Sequence, residues 1–341
     1  MRLLLPLLLF AATAAAQQWT RINVPATASF RGLSVVSDKV VWASGTDGKV
    51  IRTIDGGNTW SVMTVAGTDK LDFRGIHAFD ARTAVIISSG PAEKGQAKIY
   101  RTSTGGRLWS RVYERKTPGV FFDAIAFWDH RHGIVLSDPV NGHFLLFTTA
   151  DGGLTWKQTR PQTLPPALPG EGAFAASNSC LAVQGTENVW FATGGASVAR
   201  VFHSADRGRT WSVAETPMHP ANASSGIFSL AFADSTNGLA AGGDYAHPEN
   251  SDLPNLMRTS DGGQTWQPAP PSNPAGVYFS SAAFVPAQEN TILAAGTSGL
   301  FADAGAGWKK ESDENLNAVA AGPQAYWAVG PKGTILRRSG N

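Results

Sequence analysis

Apolar residues run through this chain in short stretches, each ended by a polar turn that often carries glycine. The pattern predicts four strands in the first unit: Leu33–Val36, Val40–Ser44, Lys49–Thr53 and Trp60–Val65. They are separated by Ser37-Asp38-Lys39, Thr46-Asp47-Gly48 and Asp55-Gly56-Gly57, residue types that reverse the chain through local hydrogen bonds or positive φ. No helical heptad spacing is visible.

The same phrase ends the third strand again and again. Thr53-Ile54-Asp55-Gly56-Gly57-Asn58-Thr59-Trp60 returns as Thr149 to Trp156, Ser204 to Trp211 and Thr259 to Trp266, with the Asp at 151, 206 and 261. Two copies are worn: Thr102 to Trp109 has lost the Asp, and Phe301 to Trp308 keeps Asp303 and the Trp. With Trp19, the tryptophans at 60, 109, 156, 211, 266 and 308 bound six units. A seventh unit follows Trp308 and ends at Gly333 to Ser339 without its own Trp, while Trp19 is the spare one. Four strands per unit of about 40 to 50 residues predict an all-β, seven-bladed β-propeller. Its ring closes by pairing the N- and C-terminal strands, which removes the free edge. The span 17–341 is thus expected to be one domain.

Composition agrees: of 341 residues, 43% are hydrophobic and 16% charged, with 37 Gly and 20 Pro, a profile of short strands and tight turns. A net charge of +2 argues against nucleic acid as the main partner. Met1-Arg2, the apolar run Leu3 to Phe10 and Ala14-Ala15-Ala16 predict a signal peptide over 1–16, cleaved after Ala16. The expected location is periplasmic or secreted, without membrane insertion, and the expected state is a monomer.

The phrase Ser/Thr-x-Asp-x-Gly-x-Thr-Trp resembles the Asp-box, or bacterial neuraminidase repeat. In its seven-unit, exported form the chain is similar to the photosystem II stability and assembly factor family of propellers. That resemblance implies a fold and a style of binding, not a substrate; the expected partner is an exported or membrane-protein segment, or a carbohydrate, and no cofactor is expected. The repeated Asp55, Asp151, Asp206 and Asp261, with Trp60, Trp156, Trp211 and Trp266, are read as structural: the Asp accepts from its own turn and the Trp buries its ring.

Blade order places the links into strand A and the loops between strands B and C on one face. The repeat turns lie on the other. The first face carries Phe30-Arg31-Gly32-Leu33, Phe73-Arg74-Gly75-Ile76 and Phe122-Asp123-Ala124-Ile125. It also carries Asp138 and His143 of a B–C loop, Glu171 of the approach to unit 4, and Asp244-Tyr245 of a long B–C loop. Arg31 and Arg74 are placed either to fork a carboxylate or to pair with Asp123 or Asp138. The leading expectation is a non-enzymatic binding face. The alternative is a sialidase-like glycoside hydrolase, in which Tyr245 with Glu171 or Glu249 is the nucleophile pair and Asp123 or Asp138 the acid. Asp129-His130-Arg131-His132 supplies too few ligands for a metal site, and no metal is expected. Cys180, the single cysteine, lies in an apolar run and reads as a buried small hydrophobe.

Overall fold

The computed structural model describes residues 18–159, 163–218, 222–249, 255–269, 277–286, 288 and 291–340. The expected leader and Pro161, part of a proline-rich link between units 3 and 4, lie outside the described residues. Among the described residues the strands form seven four-stranded antiparallel sheets. Their innermost strands, A, are Phe30–Val35, Gly75–Ala78, Phe122–Phe127, Leu181–Gln184, Ser225–Phe232, Ser281–Phe284 and Ala318–Ala321. Each A strand touches the next, and the seventh touches the first, so the blades form a complete ring. The last sheet takes its outer strand from the other end of the chain: Thr20 pairs with Arg337 and Arg21 with Leu336. The seven-bladed propeller closed by both termini is therefore observed.

The core is divided among the gaps between blades. Seven apolar clusters each join two neighbouring blades, and each takes one of the regularly spaced tryptophans from the later blade. Trp60 meets Trp327 of blade 7 edge-on, with centroids 5.7 Å apart. Trp19 packs into the gap between blades 6 and 7, which supplies the ring that unit 7 lacks. Every blade thus buries its outer Trp against the blade before it.

The repeat turn locks strand C to strand D. Asp55 accepts the Thr59 amide at 2.9 Å and the Thr59 hydroxyl at 2.6 Å, while the Gly57 amide donates to the Thr53 hydroxyl. The same hydroxyl bond measures 2.6 Å at Asp151, Asp206 and Asp261. The second glycine is needed for room as well as for its φ of 90°: a Cβ on Gly57 would lie 2.5 Å from the Trp327 ring. In the worn copy Thr104 stands in for the Asp and takes the Leu108 amide at 2.9 Å.

Strand A of blade 1 begins at Phe30, three residues before the apolar run predicts. Phe30 pairs with Gly45 and Gly32 with Ser44, so Arg31 is an extra residue, a bulge, between them. The alternation of apolar residues does not register such a residue because it opposes nothing on strand B. Equivalent irregularities fall at Asp123 and Phe228 on strands A, and at Asp138 on a strand B.

Candidate functional site

Bulges turn a side chain away from the sheet's regular alternation. Here they aim four side chains at the mouth of the central channel. Arg31, Asp123, Asp138 and Phe228 all line one cavity of about 520 Å³, together with Arg74, Phe174, Tyr245, Tyr278, Ser280 and Asn317. Its walls are the links into strand A and the B–C loops, on the face opposite the repeat turns.

The floor is residues 173–179, the link into blade 4, which crosses the mouth and is tied to five other blades. The Ala176 carbonyl accepts from Arg31 of blade 1 and the Ala175 carbonyl from Arg74 of blade 2, each at 3.3 Å. Asn178 brackets Ile125 of blade 3, accepting its amide at 2.8 Å and donating to its carbonyl at 3.1 Å. Ser177 donates to the Ser280 carbonyl of blade 6 at 2.7 Å, and Ser179 to the Ser229 hydroxyl of blade 5 at 2.8 Å. Glu171 anchors the start of this link. Its side chain is fully enclosed, bonded to Arg200 at 2.5 and 2.9 Å, to the Thr193 hydroxyl and to the Leu168 amide.

Electrostatics differ around the mouth. On the side of blades 1 and 2, Arg74 pairs with Asp72 at 2.7 Å, and Arg31 has no carboxylate partner among the described residues. Burial first, then Arg74, lowers the Arg31 pKa, with Asp72 and Tyr278 opposing. On the side of blade 3, Asp123 is 0% exposed and neither carboxyl oxygen has a hydrogen-bond partner. The nearby Asp138 amide donates to the Phe121 carbonyl at 3.1 Å instead. Burial, then the Asp138 charge, pushes the Asp123 carboxyl well above the usual carboxylate range. Burial pushes Asp138 up to about 6, although the Ala173 amide donates to its Oδ1 at 2.9 Å. On the side of blades 4 to 6, Phe174 and Phe228 stack with centroids 4.0 Å apart and planes 11° apart. Tyr278 meets Phe228 edge-on at 4.8 Å, and Tyr245, 54% exposed, stands at the rim.

The structure therefore brings Arg31, Arg74, Asp123, Asp138 and Tyr245 together, and places three other expected residues elsewhere. Glu171 does not line the cavity and is committed to Arg200. Asp244 is buried in its own loop, where burial favours the neutral acid. The hydrogen bonds from Asn222, Ser224, His247 and the Ala246 amide overcome this and hold its carboxyl well below the usual range. His143 is exposed beside the hairpin turn Asn141-Gly142. Arg31 and Arg74 do not pair with Asp123 or Asp138: Arg74 reaches Asp72, two residues back in the link that precedes strand A. Glu249 is exposed and does not line the cavity.

Phe174, Phe228, Tyr278, Ser280 and Asn317 were not legible as site residues in the strand pattern. One signal was available for most of them. The residue following the large apolar residue at the start of strand A is Arg31, Arg74, Asp123, Phe228, Ser280 and Asn317 in six blades, and all six line the cavity.

A larger open wedge, about 900 Å³, lies on the other face between blades 3 and 4. Its carboxylates Asp151 and Asp206 are already held by their own turns, so it offers fewer free groups. Asp129 is likewise a turn anchor, accepting the Arg131 and His132 amides. Among the described residues no group of three or more His, Cys, Asp or Glu is placed to hold a metal. Cys180 is buried in the cluster joining blades 3 and 4, and burial, then Asp123, raises its thiol pKa well above the usual value. No helix among the described residues is long and apolar enough to cross a membrane.

No family model matches the chain, and no curated protein does. Solved structures do. YCF48 bound to D1 peptide superposes with a TM-score of 0.65 at 17% identity, over 97% of this chain and 100% of that one. YCF48 from Cyanidioschyzon merolae gives 0.66 at 17% identity, over 94% and 99%. A GH74 xyloglucanase from Xanthomonas campestris gives 0.61 at 17% identity, over 95% of this chain and 54% of that one. At these identities the likeness is one of fold: this chain shares the propeller of YCF48 along its whole length.

Proposed function

We propose that this chain is an exported, non-enzymatic binding propeller that captures a protein segment at the channel mouth. The observation that carries the reading is the set of unsatisfied polar atoms there. Arg31 Nε and both oxygens of Asp123, residues that line the cavity, are buried without a partner, beside a stacked aromatic shelf. Buried polar groups are normally paired, and leaving one unpaired costs about 1–3 kcal/mol. Several of them around one cavity fit a site whose ligand completes the bonding. The Arg31–Arg74 side suits an anionic group of the segment, and the Phe174–Phe228 shelf suits an apolar one. The bound peptide in the YCF48 structure supports a segment over a small solute. The apolar leader at 1–16 supports export to the periplasm or beyond, and the repeat-turn geometry supports the Asp-box reading.

The sialidase-like alternative keeps one supporting observation, the raised carboxyls of Asp123 and Asp138. Its nucleophile pair is weakened because Glu171 is locked to Arg200, away from Tyr245. Turnover of a fluorogenic glycoside panel, a sialoside included, separates the two. The binding reading expects none from the folded protein, and turnover lost in Tyr245→Phe establishes the alternative.

A further inference from the structure

Beyond the arginines, the acid side of the mouth has a chemistry of its own. Asp123 and Asp138 are both carried on bulges, so the backbone departs from regular pairing at both places where it presents these carboxyls. Asp138 Oδ1 is taken by the Ala173 amide. That leaves three acceptor oxygens: Oδ1 and Oδ2 of Asp123, buried without a partner, and Oδ2 of Asp138, which accepts no hydrogen bond among the described residues. The charged or titratable groups acting on Asp123 are Asp138, Arg74 and, from blade 4, the Cys180 thiol. None serves as a counter-ion by contact. Arg74 is spent on Asp72 and the Ala175 carbonyl, Arg31 on the Ala176 carbonyl, and Cys180 lies within the apolar cluster.

We propose that Asp123 and Asp138 form a subsite for a primary ammonium group, so that the captured segment presents a lysine side chain or a free amino terminus there. This rests on the channel-mouth binding reading. An ammonium offers three N–H donors and no acceptor, which matches three unpartnered carboxyl oxygens once the enclosed Asp123 side chain turns toward the cavity it lines. A guanidinium carries five donors in a planar fork and leaves two without a place. The Phe174–Phe228 shelf in the same cavity takes the aliphatic stem that a lysine brings with its charge. The ammonium in turn favours the ionised acids, so binding displaces protons from the pair.

The test is titration of the whole chain with small amides at constant ionic strength, followed by NMR. Nα-acetyl-lysine amide and glycine amide represent the two sources of the amine, Nα-acetyl-norleucine amide is the neutral control, and Nα-acetyl-arginine amide is the rival cation. The expected result is binding of at least one amine. It strengthens about tenfold from pH 5 to pH 7 as Asp138 ionises, and falls at least tenfold in Asp123→Asn/Asp138→Asn. Equal binding of norleucine amide, preference for arginine amide, indifference to the Asn substitutions, or no binding at all overturns the proposal. Segment capture through Arg31 and Arg74 is scored separately. Peptide capture without an amine preference sinks only the subsite, and amine binding without peptide capture sinks only the broader reading.

Discussion

Burial lifts the Asp138 carboxyl from 3.8 to about 6, and that shift has a sign in stability. The folded protein binds a proton more tightly than the unfolded chain. The resulting stabilisation is full below pH 3.8 and is lost as pH rises through 6. Above pH 6 the ionised carboxyl weighs against the fold by roughly 3 kcal/mol. Asp138→Asn keeps an acceptor for the Ala173 amide and removes the charge. Its stability advantage over wild type, read by thermal melts, is expected to grow between pH 4 and 6 and to level off above. A variant less stable than wild type at pH 7.5 contradicts this. The difference between the two proteins is the quantity to read, because His77 acts oppositely. Enclosed between Phe79 and Phe127, each ring centroid 4.9 Å away, its pKa is lowered to about 4 by burial and then by His130. It removes stability as pH falls from 6.5 to 4 and so masks part of the Asp138 profile in either protein alone. A residue that weakens the fold at working pH while facing a cavity is better explained by a ligand than by packing.

The repeat turn is the element that the chain uses most, and its worn copy shows what the Asp does. Hydrogen bonds from the Thr59 hydroxyl, the Thr59 amide and the Thr53 hydroxyl hold the Asp55 carboxyl down at about 2. A carboxyl so committed serves the turn and not acid chemistry. At the worn turn Thr104 makes only part of this set, and Leu108, 72% exposed, stands where the four full copies have Thr. Thr104→Asp/Leu108→Thr is expected to restore the missing threonine hydroxyl bond and to add about 1 kcal/mol of stability, measured by denaturant unfolding. No gain, with the turn geometry otherwise kept, means that the Asp is not what fastens strand C to strand D. Much of this element was legible in the sequence, because an Asp, a glycine with positive φ and a Trp at fixed spacing leave few other structures. The site was legible only in part. Arg31, Arg74 and Asp123 are conspicuous polar residues at strand starts, whereas Phe228 at the matching place looks like one more core residue. Glu171 and Asp244 look like ligand-facing loop acids, and only their partners, Arg200 and the loop amides, show that they hold the loops themselves. The missing partners of Asp123 are a property of the folded ring, since chain order says nothing about what lies across a channel.

For the whole molecule the decisive feature is closure. Thr20–Arg21 completes blade 7, and Trp19 fills the gap between blades 6 and 7. A chain begun at Asn23 loses that ring and exposes the edge of Ile335–Ser339. Loss of a packed Trp is worth about 3 kcal/mol, so the Tm is expected to fall by roughly 5 °C. Concentration-dependent association, seen by light scattering, is expected with it. An unchanged Tm and a monomeric shortened chain contradict the closure account. The closed ring is also what makes the mouth a binding site, because the 173–179 link is tied at once to blades 1, 2, 3, 5 and 6. Six of the seven blades thus hold one surface in place, which limits the ordering that binding requires.

The most direct measurement is selection of a random peptide library on the purified protein, repeated with Arg31→Ala/Arg74→Ala and with Tyr245→Ala, a rim residue whose ring meets the link edge-on at Phe174. The account predicts that wild type enriches a shared peptide pattern and that both variants, still melting cooperatively as folded proteins, bind those peptides at least tenfold more weakly. Absence of any enriched pattern, or equal binding by variants that remain folded, contradicts a capture site at the channel mouth.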